Sequence, residues 1–196
     1  MLFRSVGARL AAAPELRLSS DRWQWTPTPE WIAVDPARQA LEEAGVPAES
    51  APLGRGDLVP AIASALEKSP WVASVRIRKG LGSFEVAVQY RKPVLFVPVG
   101  EGTRGCYVDR EGVVLPAEQA HSNVLRESFI FEGRPQRDLP GVGKPFADPQ
   151  VAQAATLAEF LLSVKSRLDL TAISGPSEQA EWTLRARRGS RYLWGR

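Results

Sequence analysis

The side chains best suited to catalysis are scarce in this chain: there is one cysteine, Cys106, and one histidine, His121. A single copy of each leaves no intramolecular disulfide and no thiolate-rich zinc site. Cys106 sits in an apolar stretch, where a lone cysteine reads as a small core residue. Asp109 and Glu111 come closest to a paired carboxylate of the kind that does acid–base work. They flank Arg110 in the turn Asp109-Arg110-Glu111-Gly112, however, and aspartate in such a turn hydrogen-bonds backbone. Gly141-Val142-Gly143 is a glycine pair that a phosphate loop would use, but no further residues complete that fingerprint and no strand directly precedes it. No motif specifies an enzyme, and none calls for a cofactor or metal.

Two other groups of residues could bind rather than react. Trp23, Trp25 and Trp31 lie in SSDRWQWTPTPEW, where they would suit a membrane-interface belt or a platform for stacked bases. The expected role is plainer, as indoles packed along the domain that follows an ordered linker. Residues 185–196 hold five arginines and no acid, a pattern found in nucleic-acid stripes. Arginines on the outer face of a strand also keep an edge from aggregating, and that is the reading preferred here. Lys and Arg number 25 against 22 Asp and Glu. So small an excess does not call for nucleic acid, and no such partner is expected.

The elements that must position these residues are clearest at SPWVASVRIRKGLGSFEVAVQYRKP, residues 69–93. Trp71, Ala73, Val75 and Ile77 alternate along one run, and Phe84, Val86, Val88 and Tyr90 along a second, the period of two that marks strands. With residues 80–83 as the loop, Ile77 faces Val86, Val75 faces Val88 and Arg78 faces Glu85. Both apolar sets then point the same way. Residues 57–68 read as a helix capped by Asp57, with Leu58, Ile62, Ala65 and Leu66 in a stripe and Ser69-Pro70 as the stop. Asp35-Pro36 opens another, with Ala37, Leu41 and Ala44 on one side and Gly45 ending it. After Pro93, short runs at 94–99, 105–109, 113–115 and 128–131 alternate with turns and predict an antiparallel sheet. Asp148-Pro149 caps the clearest helix, with Val151, Ala154, Ala155, Ala158, Leu161, Leu162 and Lys165 near one face. Residues 168–174 read as a strand, and 180–187 with 191–194 as a terminal hairpin whose Trp182, Leu184 and Ala186 point inward. Residues 133–145 read as a surface loop. The fold class is α+β: a small domain of two helices on a short sheet, then a β-rich domain with one long helix.

Taken in order, Pro70-Trp71-Val72 at a strand entry, Arg91-Lys92-Pro93-Val94 at its exit, Asp109 to Gly112 in a turn, and the closing Trp194-Gly195 resemble the FtsQ/DivIB family of bacterial cell-division proteins. The resemblance covers residues 31–196. It implies a linker at 1–30, a POTRA domain at 31–93 and a β domain at 94–196. The POTRA pattern also needs a strand before its first helix, for which 31–34 is the candidate. Family members carry an N-terminal membrane helix. MLFRSVGARL and AAAPELRLSS are too interrupted to span a bilayer, which takes about 20 apolar residues, so that anchor is not expected within this sequence.

The function implied by the resemblance is that of a noncatalytic scaffold at septum formation, on the periplasmic face of the inner membrane. Its partners would be FtsB-like and FtsL-like division proteins. The docking edge would be the last strand, Arg191, Tyr192, Leu193 and Trp194, through which a partner strand adds to the sheet. Pro70, Trp71, Val72, Arg91, Pro93, Asp109 and Gly112 are motif positions with structural roles. The alternative implied by a POTRA fold is a polypeptide-binding module of an outer-membrane assembly or secretion system.

Overall fold

A computed structural model describes residues 17–19, 23–45, 50–52, 58–80, 83–99, 105–133, 139–176 and 181–195. The chain is α+β and divides into two compact units. One takes Asp35–Tyr90 and the described residues up to Pro29; the other takes Glu30–Val34 and Arg91–Arg196.

The first unit contains, in chain order, strands β1 (Arg17–Ser19) and β2 (Trp23–Trp25), helix α1 (Pro36–Glu43), strand β3 (Ser50–Pro52), helix α2 (Leu58–Glu67) and strands β4 (Val72–Lys79) and β5 (Phe84–Tyr90). β1 and β3 pair with each other, and β2, β5 and β4 form a three-stranded sheet in that order. β4 and β5 are antiparallel in the register that the alternation predicts, with Ile77 opposite Val86, Val75 opposite Val88 and Arg78 opposite Glu85. The last pair is 3.8 Å apart with both side chains more than half exposed, so it contributes less than about 1 kcal/mol.

Ala73 departs from the alternation. The register shifts between Val72 and Ser74, an extra residue that bends the strand. Trp71 and Val72 are both buried in consequence, and Ala73 is exposed. Pro70 occupies the turn before it, closed by the Val72 amide on the Ser69 carbonyl at 3.0 Å.

The strand before the first helix is β2, not residues 31–34. Its three residues run parallel to β5, with Trp23 opposite Phe84 and Trp25 opposite Val86. Trp23 is buried, stacked on Trp25 at 5.4 Å and tilted against Phe84 at 5.6 Å. Burying one indole of that size is enough to order a short strand, and Pro27 and Pro29 lie beyond it. Thr26 completes the pairing: its amide donates to the Val86 carbonyl, and its hydroxyl accepts the Val88 amide. These residues are therefore built into the sheet and are not a linker.

α1 begins where the Asp35 side chain accepts the Ala37 and Arg38 amides, an N-cap contributing about 1 kcal/mol. It ends before Gly45, whose φ of 64° suits glycine. Ala37 and Leu41 face inward, whereas Ala44 is exposed at the helix end. Ile62, Ala65 and Leu66 of α2 join them over the sheet in one core with Val86 and Val88. The expected cap Asp57 lies outside the described residues.

The second unit holds β6 (Leu95–Pro98), β7 (Gly105–Val108), β8 (Val114–Leu115), the short helix α3 (Val124–Glu127), β9 (Phe129–Phe131), the long helix α4 (Pro149–Lys165) and β10 (Leu170–Ser174), β11 (Trp182–Ala186) and β12 (Arg191–Trp194). They form a seven-stranded sheet in the order β12-β11-β10-β9-β6-β7-β8. The sheet is mixed, not antiparallel: β9 runs parallel to both β10 and β6. Turn signals report only neighbouring pairs. The β9–β10 connection contains α4, which is long enough to bring the chain back in the same direction.

Asp148 caps α4 by accepting the Gln150 amide at 2.9 Å. Val151, Ala154, Ala155, Ala158 and Leu161 are buried against the sheet, and the three alanines let the helix lie close to it. Cys106 belongs to this core. No helix among the described residues is long and apolar enough to cross a membrane.

Candidate functional site: the β12 edge

The seven-stranded sheet has two edges, and they are finished differently. At the β8 edge, the Val114 amide donates to the Lys144 carbonyl at 3.0 Å and the Gly143 amide to the Val114 carbonyl at 2.8 Å. Val113 and Pro145 add an isolated bridge. The Gly141-Val142-Gly143 segment therefore has a structural job, closing an edge, with Gly143 at a φ of 80°. β12 has no strand beyond it among the described residues.

The polarity of β12 follows from its hairpin. β11 and β12 are antiparallel, with Trp182 opposite Trp194, Thr183 opposite Leu193, Leu184 opposite Tyr192 and Arg185 opposite Arg191. The Ala186 amide donates to the Ser190 carbonyl at 2.8 Å. Hydrogen-bonded and non-bonded pairs alternate along such a ladder, so Tyr192 and Trp194 bond inward to β11. Arg191 and Leu193 direct their backbone groups outward, to the free edge.

Directly opposed residues share a face, so Tyr192 and Trp194 lie on the side of Trp182, Leu184 and Ala186, which is the side covered by α4. Leu184 and Ala186 are buried there and Trp182 is partly so, as the alternation predicts. α4 meets β12 through the Phe160–Trp194 ring contact without burying the strand, and all four β12 residues are exposed. A groove of about 470 Å³ runs between helix and edge, lined by Gln153, Thr156, Leu157, Phe160, Trp182 and Trp194. On the α4 side Phe160 is 67% exposed, and on the opposite face Leu193 is 71% exposed. Trp194 does not close the hairpin core; it forms one wall of the groove. Phe160 escapes a reading of the sequence aimed at the buried stripe of α4, because it lies off that stripe. A large aromatic outside the packing face is the signal that marks it.

β4, one of the two edge strands of the three-stranded sheet in the first unit, carries the exposed Arg76 and Arg78. Charges there discourage strand addition. Of the tail arginines, Arg185 pairs with Glu132 and Arg187 with Asp169, so two of the five are matched by acids that flank other strands.

The remaining motif residues build a polar knot in the second unit. Asp109 is buried; its Oδ1 accepts the Glu111 and Val113 amides at 2.9 Å each, and its Oδ2 takes Arg91 Nη1 at 2.5 Å. The same Arg91 nitrogen donates to Glu111 Oε2 at 2.7 Å. Gly112, at a φ of 74°, closes the turn by donating to the Asp109 carbonyl. Every oxygen of Asp109 is thus committed to fixing the turn. Pro93 is buried just after Arg91, and its carbonyl accepts the Ser128 hydroxyl. Trp31 belongs to this unit too: its indole donates to the Arg91 carbonyl at 3.1 Å, and Lys92 lies over its ring. Burial pushes the Cys106 thiol up to about 11, which disfavours the thiolate a nucleophile needs. No protein-family model matches the chain, and no curated protein sequence matches it.

Proposed function

We propose that the chain is a noncatalytic scaffold of the bacterial cell-division machinery, of the FtsQ/DivIB kind, acting on the extracytoplasmic face of the inner membrane. An extended segment of an FtsB-like protein is its direct partner, and an FtsL-like protein joins through that segment. The observation that carries this reading is the contrast between the two sheet edges: β8 is covered by residues 143–145, whereas β12 presents outward backbone groups beside an uncovered aromatic groove. An incoming strand would pair with Arg191 and Leu193, and its alternate side chains would lie in the groove lined by Phe160, Trp182 and Trp194. Backbone pairing supplies affinity, and the two aromatics supply the anchor that interfaces commonly use.

The test is hydrogen exchange on this chain with and without the extracytoplasmic segment of the FtsB-like protein from the same genome. Slowed exchange at the Leu193 amide supports the reading. Protection confined to β4 would instead favour a general polypeptide-binding module, and protection nowhere would remove the scaffold reading.

A further inference from the structure

A second concave surface in the β domain is unrelated to the β12 edge. It is a cleft of about 440 Å³ at the C-terminal end of α4, floored in part by Leu162 and Leu170. Four cations line it, Lys92, Arg126, Lys165 and Arg187, against two carboxylates, Glu127 and Asp169.

Both carboxylates are already engaged. Glu127 accepts the Asn123 side-chain amide at 2.8 Å, and Asp169 lies 3.7 Å from Arg187. Arg187 is matched by that pair and Lys92 lies over the Trp31 ring, whereas Lys165 and Arg126 make no ion pair among the described residues. Lys165 donates to the Arg126 carbonyl at 2.7 Å, a neutral acceptor, and stands 5.4 Å from the centre of the Phe129 ring. Partial burial, and then the charge of Arg187, lower the pKa of Lys165, opposed in part by Glu127 and Asp169.

The frame around these groups is fixed by backbone. The Arg187 amide donates to the Asp169 carbonyl at 2.9 Å, and the Leu168 amide to that of Val164 at 3.0 Å. Asp169 adopts a φ of 50° to make the corner. The backbone that carries Lys165 and Arg187 is therefore fixed before any ligand arrives.

We propose that this cleft binds a phosphate-class dianion, whose oxygens are taken by Lys165, Arg187 and Arg126. Arginine offers paired donors to such oxygens and lysine a compact charge. The lining carries a formal excess of two positive charges, one of them the Lys92 ammonium that lies over Trp31. The phosphate could be free in solution or carried on a lipid headgroup, and the shared chemistry is the doubly charged oxyanion.

The test has two arms at constant ionic strength, since screening alters all exposed charges together. In the first, inorganic phosphate is titrated calorimetrically into the chain at pH 8, where it is the dianion. One site is expected, weakened roughly tenfold by Lys165→Gln and by the exposed Arg187→Gln, as loss of a charge-assisted bond predicts. Arg76→Gln, on β4, should leave it unchanged. In the second, flotation with phosphatidylcholine vesicles containing phosphatidate is compared with phosphatidylcholine alone. Binding in the first arm alone assigns a soluble ligand, and binding in both assigns a headgroup. Absence of binding in both arms would overturn the proposal, as would an equal loss in Arg76→Gln.

Discussion

The rings of Phe160 and Trp194 stand 5.7 Å apart at an angle of 51°, one from the long helix and one from the last strand, with Phe160 67% and Trp194 40% exposed. Because both are already exposed, neither does much for stability. Trp194→Ser or Phe160→Ser should shift the unfolding free energy by no more than about 0.5 kcal/mol. Each should weaken binding of the FtsB-like segment by tenfold or more, on the order of 2 kcal/mol, as expected of an aromatic anchor. Denaturant titration and calorimetry on the same samples measure the two effects separately. A large loss of stability with unchanged affinity would mean that the pair is a core element.

Arg91 should behave in the opposite way. Its side chain is 17% exposed and that of its partner Asp109 only 4%, so removing the guanidinium leaves a buried carboxylate without its cation. Arg91→Ala is expected to cost about 3–5 kcal/mol. Glu111→Gln, at a side chain 54% exposed, should cost less than about 1 kcal/mol. Urea midpoints of the two variants give the comparison; equal losses would show that Arg91 serves the surface carboxylate as much as the buried one.

Cys106 predicts an alkaline limb of stability. Its thiol titrates at about 11 in the folded chain against an ordinary value of 9.0. Between those values the unfolded chain has released its proton while the folded chain retains it, so stability is complete below pH 9 and falls as pH rises toward 11. Cys106→Val, which keeps the small apolar shape, should flatten that limb. The native thiol should also react with an aromatic disulfide reagent only as fast as the chain opens. Rapid stoichiometric labelling at pH 8 would contradict its burial.

Much of this architecture is local and can be read directly. The β4–β5 register follows from alternation and one four-residue loop, and the two Asp-Pro helix starts follow from capping chemistry. What escapes the sequence is long-range. β2 is only three residues long and exists because Trp23 packs on Phe84, some sixty positions away. The bulge at Ala73 breaks a pattern that looks unbroken on paper. The parallel pairing of β9 depends on which strand α4 returns the chain to. At the candidate site, the exposure of β12 cannot be told from alternation, since Trp194 shares a face with buried Leu184 but meets α4 at the exposed Phe160 and not at its buried stripe.

The most direct measurement is a calorimetric titration of the FtsB-like extracytoplasmic segment into the wild-type chain, Leu193→Pro and Tyr192→Pro, with melting curves of each. Proline removes one backbone donor. At Leu193 that donor points to the free edge, where proline is tolerated; at Tyr192 it bonds to β11. Leu193→Pro should therefore melt near wild type and lose binding, while Tyr192→Pro should melt lower. If Leu193→Pro stays folded and binds as tightly as wild type, β12 is not the docking edge and the central claim fails.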